Sequence, residues 1–254
     1  MTDTLDGKHA LVTGGGSGIG RAVALALAGE GAIVTVTGRR AEALEETCAA
    51  GPCIHAQVMD VTDEDSVVAA TAAAVAARGP VDIHVANAGR AEGNALHKTD
   101  LAFWRRLMAT NLDGAFLTIR ESLRSMRGRS WGRVIAVSSM AGIRGLRGAS
   151  AYTASKHGML GLVRGLSEDY LGTGLTFNAL CPGYVDTPIV TRNVETIAAR
   201  TGMSPTEAAA VMTDSNRHGR LVAPGEVAAA ALWLCGPGSG SVNGQAIEIA
   251  GGQV

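Results

Sequence analysis

At 254 residues and a net charge of −1, the chain is long enough for a large buried core and lacks the basic block that binds nucleic acid or an anionic membrane. No uncharged apolar run is long enough to span a bilayer, and Cys48, Cys53, Cys181 and Cys235 form neither a C-x-x-C pair nor a metal-ligand spacing. These exclusions lead us to expect buried thiols, no metal and a cytoplasmic location, since the first residues lack a basic region followed by a long apolar core.

His9 to Thr13 is a short apolar run, followed by GGGSGIG and the amphipathic stretch RAVALALAGEG, which reads as strand, glycine turn and helix. Glycines there let the backbone approach a pyrophosphate, and a helix N-terminus offers free N–H groups and a favourable dipole. Gly14, Gly16, Ser17, Gly18, Ile19 and Gly20 are the residues so placed, within T-G-x-x-x-G-x-G, a wider variant of the common dinucleotide fingerprint. The next strand, residues 32–37, ends in Gly38-Arg39-Arg40, with no carboxylate for a ribose 2′-OH. Arg39 offers a fork suited to a 2′-phosphate, which favours NADP(H) with NAD(H) as the alternative; a plain surface loop is the competing reading of both arginines.

A helix over residues 41–50, a strand over Ile54–Val58 and the sequence MDVTDEDS follow. Asp60 sits just past the strand end, with Val61 beside it, where a carboxylate can accept from an adenine amino group. Thr62 reads as the N-cap of a helix through residue 77, with Asp63, Glu64 and Asp65 favouring its dipole. The strand over 81–86 runs into Asn87-Ala88-Gly89, a small-residue turn that packs against a flat cofactor or merely turns the chain.

From residue 101 apolar positions recur at helical spacing through 126. Asn111 lies inside that pattern, where it disfavours the helix and needs a partner if buried; it either faces solvent or bends the helix and holds a water. The strand over 133–138 leads into SSMAGIRGLRGASAYTASK. Tyr152 and Lys156, four apart, share one face of a helix through residue 170, so the ammonium can sit near the phenol. A free phenol titrates near pH ~10 and works at neutral pH only with a cation to stabilise its phenolate, which Lys156 is placed to supply. The bland alternative is a half-buried ring under a solvated amine. Ser139 ends the apolar run VIAVSS at the C-terminal end of a buried parallel strand, where open α/β sheets build their sites.

The strand over 175–180 precedes CPGYVDTP, whose Pro182, Gly183, Val185 and Thr187 are candidates for the nicotinamide end of a dinucleotide. Residues 188–220 read as a helical insertion, with Ser204 capping its second helix, and are expected to form a substrate lid. A helix over 224–235 and a strand over 245–250 complete seven strands alternating with helices. No linker marks a boundary, so residues 1–254 are expected to form one α/β domain around a doubly wound, seven-stranded parallel sheet, its helices packed closely through small side chains.

Together, TGGGSGIG, Asp60, Asn87-Ala88-Gly89, Asn111, Ser139, Tyr152-x-x-x-Lys156, Pro182-Gly183 and the closing Gly-Gly resemble the short-chain dehydrogenase/reductase family over nearly the whole chain. The resemblance implies a Rossmann fold and an NAD(P)(H)-dependent oxidoreductase interconverting a ketone and a secondary alcohol, usually as a homotetramer. It implies Tyr152 as acid/base, Lys156 lowering its pKa and holding the nicotinamide ribose, Ser139 orienting the substrate oxygen and Asn111 anchoring a relay water. Within the family, CPGYVDTPIV, the helical insertion and GQAIEIAGGQV look most like 3-oxoacyl-thioester reductases, polyketide ketoreductases and 3-hydroxybutyrate dehydrogenases. The last of these bind a free carboxylate through polar and basic residues where this chain has Ala141 and Ala149, which disfavours small free hydroxy acids. Arg90, Arg144 and Arg147 are expected near the pocket mouth, facing the phosphates of a coenzyme A or acyl-carrier thioester. A generic ketone reductase or NAD-dependent secondary alcohol dehydrogenase is the alternative, and a non-catalytic NADP(H)-binding sensor the distant one.

Overall fold

The computed structural model describes residues 5–253. Its strands are β1 (His9–Thr13), β2 (Ile33–Gly38), β3 (Ile54–Val58), β4 (Ile83–Ala86), β5 (Gly132–Val137), β6 (Leu175–Pro182) and β7 (Ala246–Ile249). All neighbours pair in parallel, in the order β3-β2-β1-β4-β5-β6-β7, the doubly wound sheet that the alternating pattern predicts. The order reverses between β1 and β4, the crevice where such sheets bind ligands at the strand C-terminal ends. β5 and β6 are buried along their whole lengths, which is why they read as unbroken apolar runs rather than alternating ones.

One face is covered by α1 (Gly18–Gly29), α2 (Ala41–Cys48) and α9 (Pro224–Cys235). Val23, Ala24, Leu27 and Ala28 of α1 pack with Val227, Ala228, Ala231 and Leu234 of α9 over Val12, Val34, Val85 and Ile135, the alanines letting the two helices lie close. The other face carries α3 (Glu64–Arg78), α5 (Gly114–Met126) and α6 (Ser150–Asp169), whose Ala74, Ile119, Leu123, Met159 and Val163 enclose Leu11 and Phe177. α4 (Leu101–Met108) packs beside α6, while α7 (Pro188–Thr201) and α8 (Pro205–Thr213) lie between β6 and α9 in the chain. Ser204 caps α8 in a reciprocal capping box with Glu207, as expected.

Three expectations need correction. Asp63, not Thr62, caps α3: its Oδ1 accepts from the N–H groups of Asp65 (3.1 Å) and Ser66 (3.3 Å), while the Thr62 hydroxyl donates to Asp60 Oδ1 at 2.8 Å. The helix expected over 101–126 is broken by a π-turn at Ala109–Asp113, where Asn111 swings fully inside to reach partners on another loop. Of the cysteines, Cys181 and Cys235 are buried, but Cys48 is only half-buried and Cys53 is exposed, at a left-handed φ of 51° on the loop leading into β3; all four are free thiols.

Candidate active site

The C-terminal ends of β5 and β6 open on a cleft of about 270 Å³. Ser139 follows β5, Tyr152 lies on the first turn of α6, and the segment from Pro182 to Val185 closes the opposite wall. Lys156 is one helical turn beyond Tyr152, buried, with Nζ donating to the Val137 carbonyl at 2.9 Å and standing 5.9 Å from the tyrosine ring centroid. Burial pulls the ammonium down to about 8, against a weak upward pull from the Cys181 sulfur. Tyr152 keeps part of its surface open to the cleft, yet protein crowds it closely, and burial pushes the phenol up to about 12. The Ser139 hydroxyl beside it acts downward; Tyr184 and Cys181 act upward. At neutral pH the phenol therefore holds its proton and is poised as an acid. Ser139 Oγ accepts from the Ala141 N–H at 3.1 Å, which leaves its O–H free to donate into the cleft.

Asn111 is fully buried. Its Oδ1 accepts from the Arg90 N–H at 2.8 Å, and its Nδ2 donates to the Arg90 carbonyl at 2.9 Å and to Ser155 Oγ at 3.1 Å. Ser155 in turn donates to the Tyr152 carbonyl at 2.7 Å. The asparagine thus ties the loop after β4 to the helix that carries Tyr152.

The glycine turn lies where β1 meets α1. Gly14 is in the left-handed region at φ 65°, and a Cβ there would stand 2.9 Å from Asn87 Nδ2. Asn87 Nδ2 donates to the carbonyls of Thr13 (2.9 Å) and Gly14 (3.2 Å), and Thr13 Oγ1 accepts from the N–H groups of Asn87 and Ala88. The Asn87-Ala88 turn therefore braces the glycine turn directly. Gly20 packs under the same amide, Gly16 against Ala43, and Gly18, at φ 53°, against Thr187. A Cβ on Gly89 would stand 3.7 Å from Lys156 Nζ, so that glycine keeps the space beside the ammonium open.

These residues fit a nicotinamide dinucleotide. Ser17 begins α1 without a side-chain cap bond, so the first-turn N–H groups are left to an anion, and the glycines keep that end bare. Arg39 is exposed beyond β2 and Asp60 half-buried beyond β3. Burial pushes the Asp60 carboxyl up, but hydrogen bonds from the Thr62 N–H and hydroxyl, with the charge of Arg39, outweigh it and hold the group below its usual range. Val61 turns its side chain into a small apolar cluster against Gly114, which leaves only its backbone for a ligand. Ile19, Gly183, Val185 and Thr187 line the cleft, so the turn and the cleft are continuous. Among the described residues no group of three or more His, Cys, Asp or Glu is placed to hold a metal, and no helix is long and apolar enough to cross a membrane.

The three loop arginines stand differently toward the cleft. Arg147 lines the cleft, but Arg90 is bound to Glu92 at 2.6 Å, and Arg144 lies on Met140 Sδ at 3.4 Å. Ala149 lines the cleft, whereas Ala141 is buried behind it. α7 supplies Ile189, Val190, Asn193, Thr196 and Ile197 to the wall, and α8 adds Met212. Three residues that the sequence does not single out matter here: Glu92 and Tyr184 on the wall, and buried Asn216 behind Tyr184. A polar residue closing an amphipathic insertion is the one available signal for Asn216.

The family pattern described as short chain dehydrogenase matches residues 8–198. A cis-4-hydroxycyclohexanecarboxylate dehydrogenase of Sinomonas cyclohexanicum is 38% identical over 257 residues, covering 99% of this chain and 98% of that protein. A D-beta-hydroxybutyrate dehydrogenase of Cupriavidus necator is 36% identical over 256 residues, covering 98% and 99%. The crystal structure of a single-site variant of actinorhodin polyketide ketoreductase with NADPH superposes with a TM-score of 0.92 at 37% identity, covering 96% of each chain.

Proposed function

This chain belongs to the short-chain dehydrogenase family and is an oxidoreductase acting on CH–OH and C=O groups of small molecules; on that premise we propose that it is an NADP(H)-dependent ketone reductase. The observation that carries the reading is the pair of hydroxyls, Ser139 and Tyr152, in one largely apolar cleft with the buried Lys156 ammonium beside the tyrosine. A carbonyl oxygen held by both hydroxyls gains negative charge as it is reduced, and both hydrogen bonds strengthen with it. Tyr152 keeps its proton until that charge develops and then transfers it, while Lys156 stabilises the phenolate left behind. Bound NADP(H) supplies the hydride in reduction and receives it in oxidation.

The Gly14–Gly20 turn and the α1 N-terminus hold the pyrophosphate, and Asp60 and the Val61 backbone hold the adenine side. Asn87, Ala88 and Gly89 support the cofactor from β4; Pro182, Gly183, Val185 and Thr187 flank its nicotinamide, and Lys156 its ribose. The Asn111 side chain is engaged at both ends, so we assign its relay water to its backbone. Exposed Arg39, with no ion pair among the described residues, is the basis for NADP(H) over NAD(H), and the relative solved with NADPH supports it.

For the substrate, the lining by Met140, Leu146, Val185 and Ile189 favours a neutral ketone, and Ala149 offers no polar or basic group to a small free acid. A 3-oxoacyl thioester belongs to the same reading, its phosphates facing Arg147. So do a one-domain chain with residues 188–220 as lid, homotetramer assembly and a cytoplasmic location. The test is titration of the protein's fluorescence with NADPH and NADH, followed by turnover of acetoacetyl-CoA and simple ketones. Tyr152→Phe is expected to lower kcat at least about hundredfold. Arg39→Ala is expected to narrow the preference for NADPH about tenfold. Turnover undiminished in Tyr152→Phe would sink the reading.

A further inference from the structure

We propose that the Tyr184 hydroxyl is a second, non-reacting hydrogen-bond donor of the substrate pocket, selecting ketones that carry another oxygen function close to the carbonyl, as 3-oxo esters and 1,3-diketones do. The inference rests on the ketone-reductase reading and deepens it to a substrate class.

Tyr184 is held in place by unusual means for a loop residue. Asn216, 1% exposed, grips its backbone on both sides: Oδ1 accepts from the Tyr184 N–H at 2.9 Å and Nδ2 donates to the Tyr184 carbonyl at 2.9 Å. The same Nδ2 donates to the Arg220 carbonyl at 2.6 Å, so the clamp is anchored to the chain beyond α8. Gly183 makes the approach feasible, because a Cβ there would collide with Asn216 Oδ1. One buried amide spends two of its three hydrogen bonds on fixing the backbone of a residue whose side chain lines the cleft.

The Tyr184 hydroxyl itself has no hydrogen-bond partner among the described residues, although the phenol is half-buried. It is close enough to Tyr152 to act on its titration, which places the two phenols in one neighbourhood of the cleft. Burial pushes Tyr184 up and the Arg144 guanidinium acts the other way, so the group is a neutral O–H donor at physiological pH. The lining it belongs to carries the apolar side chains of Leu146, Val185 and Ile189 together with the polar Glu92, Asn193 and Thr196, and no hydrogen bond joins any of these to the Tyr184 hydroxyl. An unpartnered donor on the wall of a largely apolar cleft discriminates between ligands: a ligand oxygen satisfies it, and a ligand lacking that oxygen leaves it unpaired once the cleft is filled. Ser139 and Tyr152 are taken up by the reacting oxygen, so the oxygen that Tyr184 meets is a different one.

The experiment compares ethyl 3-oxobutanoate with 2-hexanone, in wild type and Tyr184→Phe, with NADPH saturating. The phenylalanine keeps the ring and removes the O–H. KM for the oxo ester is expected to rise about tenfold while that for 2-hexanone stays within about twofold. An equal change for both ketones, or none for either, overturns the proposal and leaves Tyr184 as wall packing. Saturation-transfer NMR on Tyr152→Phe and on the Tyr152→Phe/Tyr184→Phe pair reads the same preference without turnover. A preference for the oxo ester in the first protein that disappears in the second supports the donor role even if the ketone-reductase reading fails. No preference in the first overturns the donor role even if that reading holds.

Discussion

The two ends of the sheet treat buried polar groups in opposite ways. At the N-terminal end Arg133, Asp82 and His9 are tied to fixed partners. Arg133 donates to the carbonyls of Leu234 (3.1 Å), Gly132 (2.9 Å) and Gly174 (3.2 Å) and lies over the Trp131 ring; Asp82 takes the His9 N–H and the Arg129 guanidinium; His9 bridges Gly79 and Thr35. At the C-terminal end Lys156 has one fixed bond, and Ser139, Tyr152 and Tyr184 present hydroxyls to a cleft. Partners consumed internally contribute stability, whereas donors left open to a cavity are costly in the free protein and useful only when a ligand arrives. The same fold therefore carries its rigidity at one end and its chemistry at the other.

The sharpest way to break this contrast is one substitution at each end. Arg133→Met strips donors from three carbonyls at once, and is expected to lower the unfolding free energy by about 3 kcal/mol while kcat of the folded protein stays unchanged. Tyr152→Phe is expected to do the reverse, losing turnover with the urea midpoint unmoved or slightly raised. Urea unfolding and turnover on both variants decide it. An Arg133→Met protein as stable as wild type would mean that water serves those carbonyls equally well.

The contrast also explains which features are legible in the sequence. The alternation of strands and helices and the helix faces follow from apolar periodicity, whereas the order of the strands in the sheet does not, and Tyr152, Lys156 and Ser139 are readable because helical spacing and a strand end place them without help from distant residues. Asn111 stands out as a misfit in its helix, but its π-turn depends on the backbone of Arg90, 21 residues away. Asn216 and Tyr184 are 32 apart, and nothing local announces that one amide will grip the other's backbone. Arg90 reads as a free loop cation, yet Glu92 holds it. The difference at Thr62 is of another kind: neighbouring oxygens compete for the same N–H groups, and geometry at the scale of one residue decides between Asp63 and Thr62.

A smaller effect sharpens the comparison through pH. His84, near the N-terminal end of β4, is buried, with Nδ1 paired to Ser122 Oγ at 2.8 Å and Nε2 without a partner. Burial pushes it down to about 3, so it stays neutral in the fold while an unfolded chain would protonate it near pH ~6.5. Below that value the unfolded state binds the extra proton, so stability is fully present at pH 7 and falls as pH drops towards 3. One excluded proton gives a slope of at most about 1.4 kcal/mol per pH unit. His9, also lowered by burial but partly offset by its bond to the Gly79 carbonyl, steepens the fall. His84→Gln keeps a hydrogen-bonding side chain and removes the titration, so its urea unfolding curves at pH 7, 5 and 4 are expected to spread less than those of the wild type. Equal spreads would mean that the fold admits the proton at His84, and that the N-terminal end is less closed to charge than its paired arginine and aspartate make it.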